Sequence, residues 1–564
     1  MKKYLLLAVF FTFLLNSGFS QDPLVSVGSQ SAIGSTLIDN AVHTVIDSEG
    51  NRIVYGTFSE EIDFDQGVTE FIVEPLGSPD IFLASYSADG SLNWAFNLGR
   101  IGLNDGMTAH GLGVDSENNV IISGGFSLTV DFDPSTLTSN LTAVQGQDGF
   151  VAKYDPMAQL VWVKQFGGTG SDLISAMAID DQDNKLIGVR FGGEIDLDPS
   201  EEGENLVTPV GGLDAAVVKL DADGNFDWSY LVAPDVNNEA VSALAVNANG
   251  DVAMGALVKG VTTGIPVQSM LAGVLNSDGT EQWSYDFQNQ GQANAISHIS
   301  FSEDEANIYL GGRIQEDTDF DPSVNEEIIS PLFADPFISK HSTADGSLAW
   351  AKYVESSSTA DHCAGVHENN GVVFLAGSFD VLATFVPGDF GTQIPSNGAS
   401  DVFVSVYEAE SGDFVDAETF GGVGGERAND AFFAGAEGMV IVGQFSSSLG
   451  LVEGEVIDAE GFEDAFFAEF SYAFDLSAGI ELSDKNINLY PVPAIDQVFV
   501  QLKDITGNSV EIKVINIIGQ TIFEGEYNDP TQKIKLDISN LNQGVYLVEI
   551  RVNGSSITKR LIKQ

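Results

Sequence analysis

Short apolar runs recur down most of this chain, each closed by polar or glycine-containing turns, and none follows the period of an amphipathic helix. Many end in Gly-x-Phe or a near variant: IVYGTF (53–58), IISGGF (121–126), LIGVRF (186–191), VAMGAL (252–257), IYLGGRI (308–314), FLAGSF (374–379) and IVGQF (441–445). About thirty residues beyond five of these runs stands a tryptophan, Trp94, Trp162, Trp228, Trp283 and Trp350, at spacings of 68, 66, 55 and 67 residues. So rare a residue at one phase reports internal duplication. Each unit reads as four short strands; in the second they are HGLGV, NVIISGGF, GFVAKY and LVWVKQF, here lettered A to D. Strands C and D are joined by Asp-Gly turns in most units, as in SADGSLNW (87–94), and Gly supplies the positive φ that a tight hairpin needs. The pattern predicts an all-β array of seven units, with Asp416 at the tryptophan place of the sixth and no strand D in the seventh. At about 66 residues a unit is too long for one solenoid coil, so the expected closed form is a seven-bladed β-propeller.

The stretch PLVSVGSQSAIGSTLIDNAVHTV (23–45) aligns with the end of one unit and the start of the next. Residues 24–27 are therefore expected to supply the missing strand D and close the ring; the other reading makes 23–30 an unstructured leader. Ahead of them, a positive start, a short apolar core and Ser17-Gly18-Phe19-Ser20 have the form of an export signal over residues 1–20. No other run is long and apolar enough to span a bilayer, so no transmembrane segment is expected. Cys363 is the only cysteine, which leaves stability to packing rather than to an intramolecular disulfide.

Charge divides the chain. Residues 21–479 hold 12 Lys and Arg against 72 Asp and Glu, a balance of −60, whereas residues 480–564 hold 9 against 10. Such a step marks a domain boundary between Asp475 and Ser483, giving an expected propeller over 21–475 and a tail over 484–564. An excess of −60 excludes nucleic acid as a natural partner, because phosphate backbones are bound by Lys and Arg. The tail reads as a small Ig-like β-sandwich. Its NLYPVPAIDQVFVQL (488–502), VEIKVINIIGQTIFEG (510–525), DISNLNQGVYLVEI (537–550) and TKRLIK (558–563) resemble, in order, the type A sorting domain of the Bacteroidetes type IX secretion system. Val492 stands where that family usually has Asn. The resemblance implies Sec export to the periplasm, engagement of the type IX machinery through residues 484–564, and a secreted or outer-surface destination. The repeats over 24–473 resemble the secreted β-propeller repeats often found ahead of such tails, which implies a fold and no particular chemistry.

Candidate chemistry gathers where B–C connections and D–A loops share one face of the ring. Four B–C connections carry Asp-x-Asp: DFDQ (63–66), DFDP (131–134), DLDP (196–199) and DFDP (319–322). Asp131, Asp133, Asp196, Asp198, Asp319 and Asp321 are candidate Ca²⁺ ligands, since paired carboxylates are hard oxygen donors. The competing reading makes the same acids caps and braces of their own loops. An acid is also expected to close the D–A loop ahead of strand A, at Asp39, Asp105, Asp172, Glu239, Asp361 and Asp430. His43, His110, His298 and His362 fall in or just before strand A, in differing registers, which suits packing better than a metal ring. No nucleophile elbow, zinc-protease or phosphate-loop motif occurs, so neither a catalytic residue nor a cofactor site is assigned. The expected function is a non-catalytic binding or scaffold propeller for an extracellular glycan or protein; the alternative is an extracellular polysaccharide-active hydrolase or lyase.

Overall fold

The computed structural model describes residues 25–472 and 487–564, apart from single residues and short connecting stretches such as 100–105, 233–237, 288–293, 434–437, 451–455, 503–509, 517–520 and 528–532. The expected export signal, Leu24, Asp105 and the 475–483 boundary lie outside the described residues. The chain divides into two compact units, Met1–Tyr472 and Ala473–Gln564.

In the first unit seven antiparallel sheets follow one another among the described residues, each built of strands A to D in spatial order. The second sheet, for example, is Thr108–Val114, Val120–Asp131, Asn140–Tyr154 and Leu160–Phe166. The A strands Asn40–Ile46, Thr108–Val114, Leu173–Ile179, Asn238–Val246, Ala295–Phe301, His362–Asn369 and Glu426–Phe433 touch in that order, and the last touches the first. The sheets are thus blades of a closed propeller, with the A strands lining its axis. The last blade takes Glu426–Phe433, Gly438–Phe445 and Asp464–Tyr472 from one end of the repeat array and Val25–Ile33 from the other, the latter pairing antiparallel with Asp464–Tyr472.

Two steric requirements account for the sequence signature. The pairing of strand A with strand B slips by one residue at the same place in all seven blades, a β-bulge that bends the strand toward the axis. In five blades a strand A carbonyl lies where a Cβ on Gly56, Gly124, Gly312, Gly377 or Gly443 would have to be, so only glycine fits there. Two residues on, Phe58, Phe126, Phe379 and Phe445 are fully buried, each contributing about 1.5–3 kcal/mol of transfer free energy.

The tryptophans and the Asp-Gly turns are halves of one joint. Nε1 of Trp94, Trp228, Trp283 and Trp350 donates to a carbonyl at the C–D turn of the next blade, Pro156, Ser277, Thr343 and Ala409, at 2.7–3.1 Å. The turn glycines Gly224, Gly279, Gly346 and Gly412, all at positive φ, lie against the rings of Trp162, Trp228, Trp283 and Trp350. The seventh blade has no C–D hairpin, because its strand D comes from the other end of the array. The sixth blade therefore has no turn to grip, and Asp416 takes the tryptophan place. Nor does the first strand supply a tryptophan to the first blade, whose turn glycine Gly90 has nothing within 4 Å of its Cβ direction.

The second unit packs a three-stranded sheet (Ile487–Tyr490, Gln497–Leu502, Ile534–Asp537) and a four-stranded sheet (Thr521–Tyr527, Val510–Asn516, Gly544–Val552, Ser555–Lys563) on a shared core that includes Val500, Ile512, Leu536, Val548 and Leu561.

Candidate functional site

Three arrangements carry chemistry in the propeller. The first lies on the axis. His43, His298 and Asp430 occupy the same place in their A strands, just past the bulge. Asp430 accepts the Thr44 amide at 3.1 Å and meets His43 Nδ1 at 3.3 Å and His298 Nε2 at 3.8 Å. Gly365 holds that place in the blade between His298 and Asp430, so no side chain separates them. On its other edge His298 Nδ1 faces Ser297 Oγ at 3.2 Å and Cys363 Sγ at 3.9 Å. Burial works against a charged ring at His298, but Asp430 and Cys363 outweigh it and push the imidazolium up to about 9. Burial likewise opposes the Asp430 charge, and His298 and His43 overcome it, holding the carboxyl well below its usual range. Burial lowers His110 and His362 to about 4, helped by His43 and Arg190 at the first and by Arg427 at the second.

This row has the order of a nucleophile, base and orienting acid, yet Cys363 is 3% exposed and packs among apolar side chains at the blade boundary. A substrate could not reach its sulfur, so the geometry supports a structural charge relay across the axis. The neighbouring bulge residues serve the same end. Oγ of Ser175, Ser242 and Ser297 donates to the carbonyls of Val241, Ile296 and Cys363 in the next blade at 2.6, 2.6 and 3.2 Å. Asn429 reaches Ala41 O at 2.9 Å, and where Ala364 cannot donate, His362 Nε2 bonds Ala428 O at 2.5 Å. Among the described residues no three His, Cys, Asp or Glu side chains are grouped so as to hold a metal ion.

The second arrangement lies at the blade boundaries. The acid that opens strand A donates its amide to the carbonyl just before the acid that opens strand C of the preceding blade: Asp39 to Glu463, Asp172 to Gln147 and Glu239 to Leu213, at 2.6–2.8 Å. Buried carboxyls thereby stand side by side as Asp464 and Asp39, Asp148 and Asp172, Asp214 and Glu239, Asp335 and Asp361, and Asp401 and Glu426. Between the fourth and fifth blades both places are neutral, Ser269 and Asn294. The acids brace loops. Asp172 accepts the Gly168 and Gly192 amides at 2.8 and 3.1 Å, and Asp361 accepts the Asp380 amide at 2.7 Å. Asp335 and Asp361 both contact the Ser356 hydroxyl, whose single proton can serve only one of them. Burial, reinforced by the neighbouring acid, pushes Asp172 up to about 6, Asp361 to about 7 and Glu426 to about 8. One of the acids expected from sequence does not belong here: Asp430 lies four residues inside its strand, facing the axis, and Glu426 takes the place assigned to it. Asp105 is among the residues not described.

The third arrangement is the face formed by the B–C connections. Here Oδ1 of Asp131, Asp196 and Asp319 accepts the amide two residues on and, eight or nine residues on, that of Ser139, Asn205 or Glu327, at 2.7–3.1 Å. Asp133, Asp198 and Asp321 accept the amides of Ser135, Ser200 and Ser323. The residue between each pair, Phe132, Leu197 or Phe320, is fully buried, as is Phe64 in the first blade. Phe385 fills the corresponding place in the sixth blade, which lacks the tag, so the apolar plug recurs more widely than the acids around it. The sequence reading singled out those acids and missed the apolar rim beside them. Of the 18 large apolar residues exposed on the described part of the propeller, all but Met157 and Val161 lie in B–C or D–A segments. A visible signal existed: an apolar residue two to four positions ahead of the strand C acid.

The comparisons with known proteins bear on the two units unequally. Residues 488–564 match the model of the secretion system C-terminal sorting domain. The tail is a secretion-system sorting domain. The chain is thus a propeller addressed to the cell surface or the extracellular space, and no helix among the described residues is long and apolar enough to cross a membrane. A curated relative, an uncharacterized WD repeat-containing protein of Acanthamoeba polyphaga mimivirus, is 27% identical over 115 residues, which cover 18% of this chain and 8% of the relative. Among solved structures, a protein of unknown function from Dyadobacter fermentans has 10% identity and a TM-score of 0.37, with 65% of this chain and 96% of that one covered. The WD40 domain of SCAP from fission yeast has 8% identity and a TM-score of 0.30, with 84% and 95% covered.

Proposed function

We propose that the propeller is a non-catalytic binding module displayed on the cell or released from it, and that its ligand sits on the face made by the B–C and D–A segments. One observation carries this reading: exposed apolar side chains gather on that face, while the opposite face is built of Asp-, Asn- and Ser-rich turns that satisfy their own amides. Apolar side chains held out in water at equivalent places of several blades mark an interaction surface better than scattered ones do. The aspartates of the Asp-x-Asp tags are proposed as braces that stiffen this face. The amides already accepted by their Oδ1 atoms support that role over Ca²⁺ loading.

The test pairs a glycan and peptide array, with and without Ca²⁺, with a turnover assay on polysaccharides. The expected result is binding that Leu332→Ser and Phe462→Ser weaken, with no turnover. Turnover that disappears in His298→Ala or Asp430→Asn would replace this reading with an enzyme working at the axis.

A further inference from the structure

The binding face has a second property besides its apolar rim. The described residues of the seven B–C segments, 59–79, 127–147, 192–213, 258–268, 315–334, 380–400 and 446–463, include 21 Asp and Glu and a single basic residue, Lys259. The propeller as a whole has one basic residue for every six acids, so its positive charge is depleted on this face in particular. Set among those acids are Leu76, Val144, Val210, Leu332 and Phe462, exposed by 40, 65, 62, 71 and 72%. They recur two to four residues ahead of the acid that opens strand C: Asp80, Asp148, Asp214, Asp335 and Asp464. In the first, third and fifth blades a short hairpin (Ile62–Asp63 with Ile72–Val73, Ile195–Asp196 with Leu206–Val207, Thr318–Asp319 with Ile328–Ile329) lies ahead of the rim residue and fixes the course of its loop.

We infer that this face receives a protein segment in which lysine or arginine alternates with apolar side chains. The inference rests on the reading of the face given above and adds the chemistry of the partner. Charge complementarity selects it: carboxylates on several converging loops sum to a negative field that attracts cations and repels anionic glycans, nucleic acid and anionic lipid. The apolar rim then separates a specific partner from a merely cationic one, since burying Leu332 or Phe462 contributes only when the partner brings apolar surface to them. Of the 14 large apolar residues exposed on the described B–C segments, 11 are aliphatic and only Phe71, Phe333 and Phe462 are aromatic, so the face offers a sugar ring little flat surface on which to stack.

The experiment immobilises the chain from residue 21 onward and measures binding of three synthetic peptides of equal length: alternating Lys and Leu, alternating Lys and Ser, and alternating Glu and Leu. The expected order is Lys/Leu tighter than Lys/Ser by about tenfold or more, with Glu/Leu not bound and both lysine peptides weakened by salt. Val210→Ser, Leu332→Ser and Phe462→Ser together should abolish the preference for Lys/Leu. Met157→Ser, which removes an exposed apolar side chain from the opposite face, should leave it unchanged. Equal binding of Lys/Leu and Lys/Ser by the wild-type chain would overturn the inference, because charge alone would then be at work. Binding of Glu/Leu with loss in the rim variant would keep the face and overturn the cationic partner. A preference for Lys/Leu that Met157→Ser removes and the rim variant does not would overturn the face itself.

Discussion

Raising the pH from 6.5 to 8.5 should loosen the propeller, and Glu426 makes the effect measurable at a single residue. Its side chain is fully buried beside Asp401, both crowding Gly421. Burial, only partly offset by the Gly422 amide, raises its pKa to about 8. In the unfolded chain the same carboxyl ionises near its ordinary value of about 4.5, well below the whole window. A folded pKa above the unfolded one stabilises at low pH, and that stability is lost as pH rises through the folded value. Between pH 6.5 and 8.5 the loss from Glu426 alone is about 2 kcal/mol. Asp361, at about 7, adds a smaller loss of the same sign, and His298, whose raised pKa of about 9 makes its charge a stabilising one that fades as pH climbs, adds one about as large as that of Glu426. His110, His341 and His362, lowered to about 4, act on the other side: they cost stability as pH falls below about 6.5, which is why the window stops there. Calorimetric melts at constant ionic strength should show the wild-type midpoint falling across the window. In Glu426→Gln, a neutral side chain of the same shape, the fall should shrink by about 2 °C for a unit of this size. Parallel falls in wild type and variant would refute the claim that Glu426 holds a proton in the folded state.

The turn glycines offer a matched pair. Gly346 (φ +73°) would bring a Cβ within 2.8 Å of the Trp283 ring, whereas Gly90 (φ +83°) has open space, so Gly346→Ala should lower the melting midpoint more than Gly90→Ala. Backbone strain costs each variant about 1 kcal/mol and the clash adds about 1–3 kcal/mol to the first. In the tags, Phe132→Ala should cost about 3–5 kcal/mol and Asp131→Asn about 1 kcal/mol by denaturant melts. Ca²⁺ and Mg²⁺ should shift the wild-type melt equally, and saturable heat on Ca²⁺ titration alone would assign the tags to metal instead. Removing residues 484–564 should leave a folded propeller in the periplasm; its appearance in the medium, read by fractionation and immunoblot, would sever the tail from export.

Sequence alone determined the repeat, because spacing of Trp, Gly-x-Phe and Asp-Gly is a one-dimensional property that duplication writes directly into the chain. The sorting tail was legible for a similar reason: its four elements keep order and residue type along the sequence. The charge step between the units needed no more than counting. What the sequence could not supply was which side chains meet across blades. Trp283 and Gly346 are 63 residues apart, and nothing local says that one grips the other. The same holds for His43, His298 and Asp430, which look unrelated along the chain and come together only because a bulge in each inner strand turns the same place toward the axis. Glu426 and Asp430 stand four residues apart in one strand, and nothing local says which of them opens it and which faces the axis. The tag aspartates, too, are equally suited by type to a cation or to an amide, and the choice depends on where the backbone N–H groups of each loop point. Sequence periodicity fixes which residues repeat; ring closure decides which of those repeats face one another, and therefore what each can do.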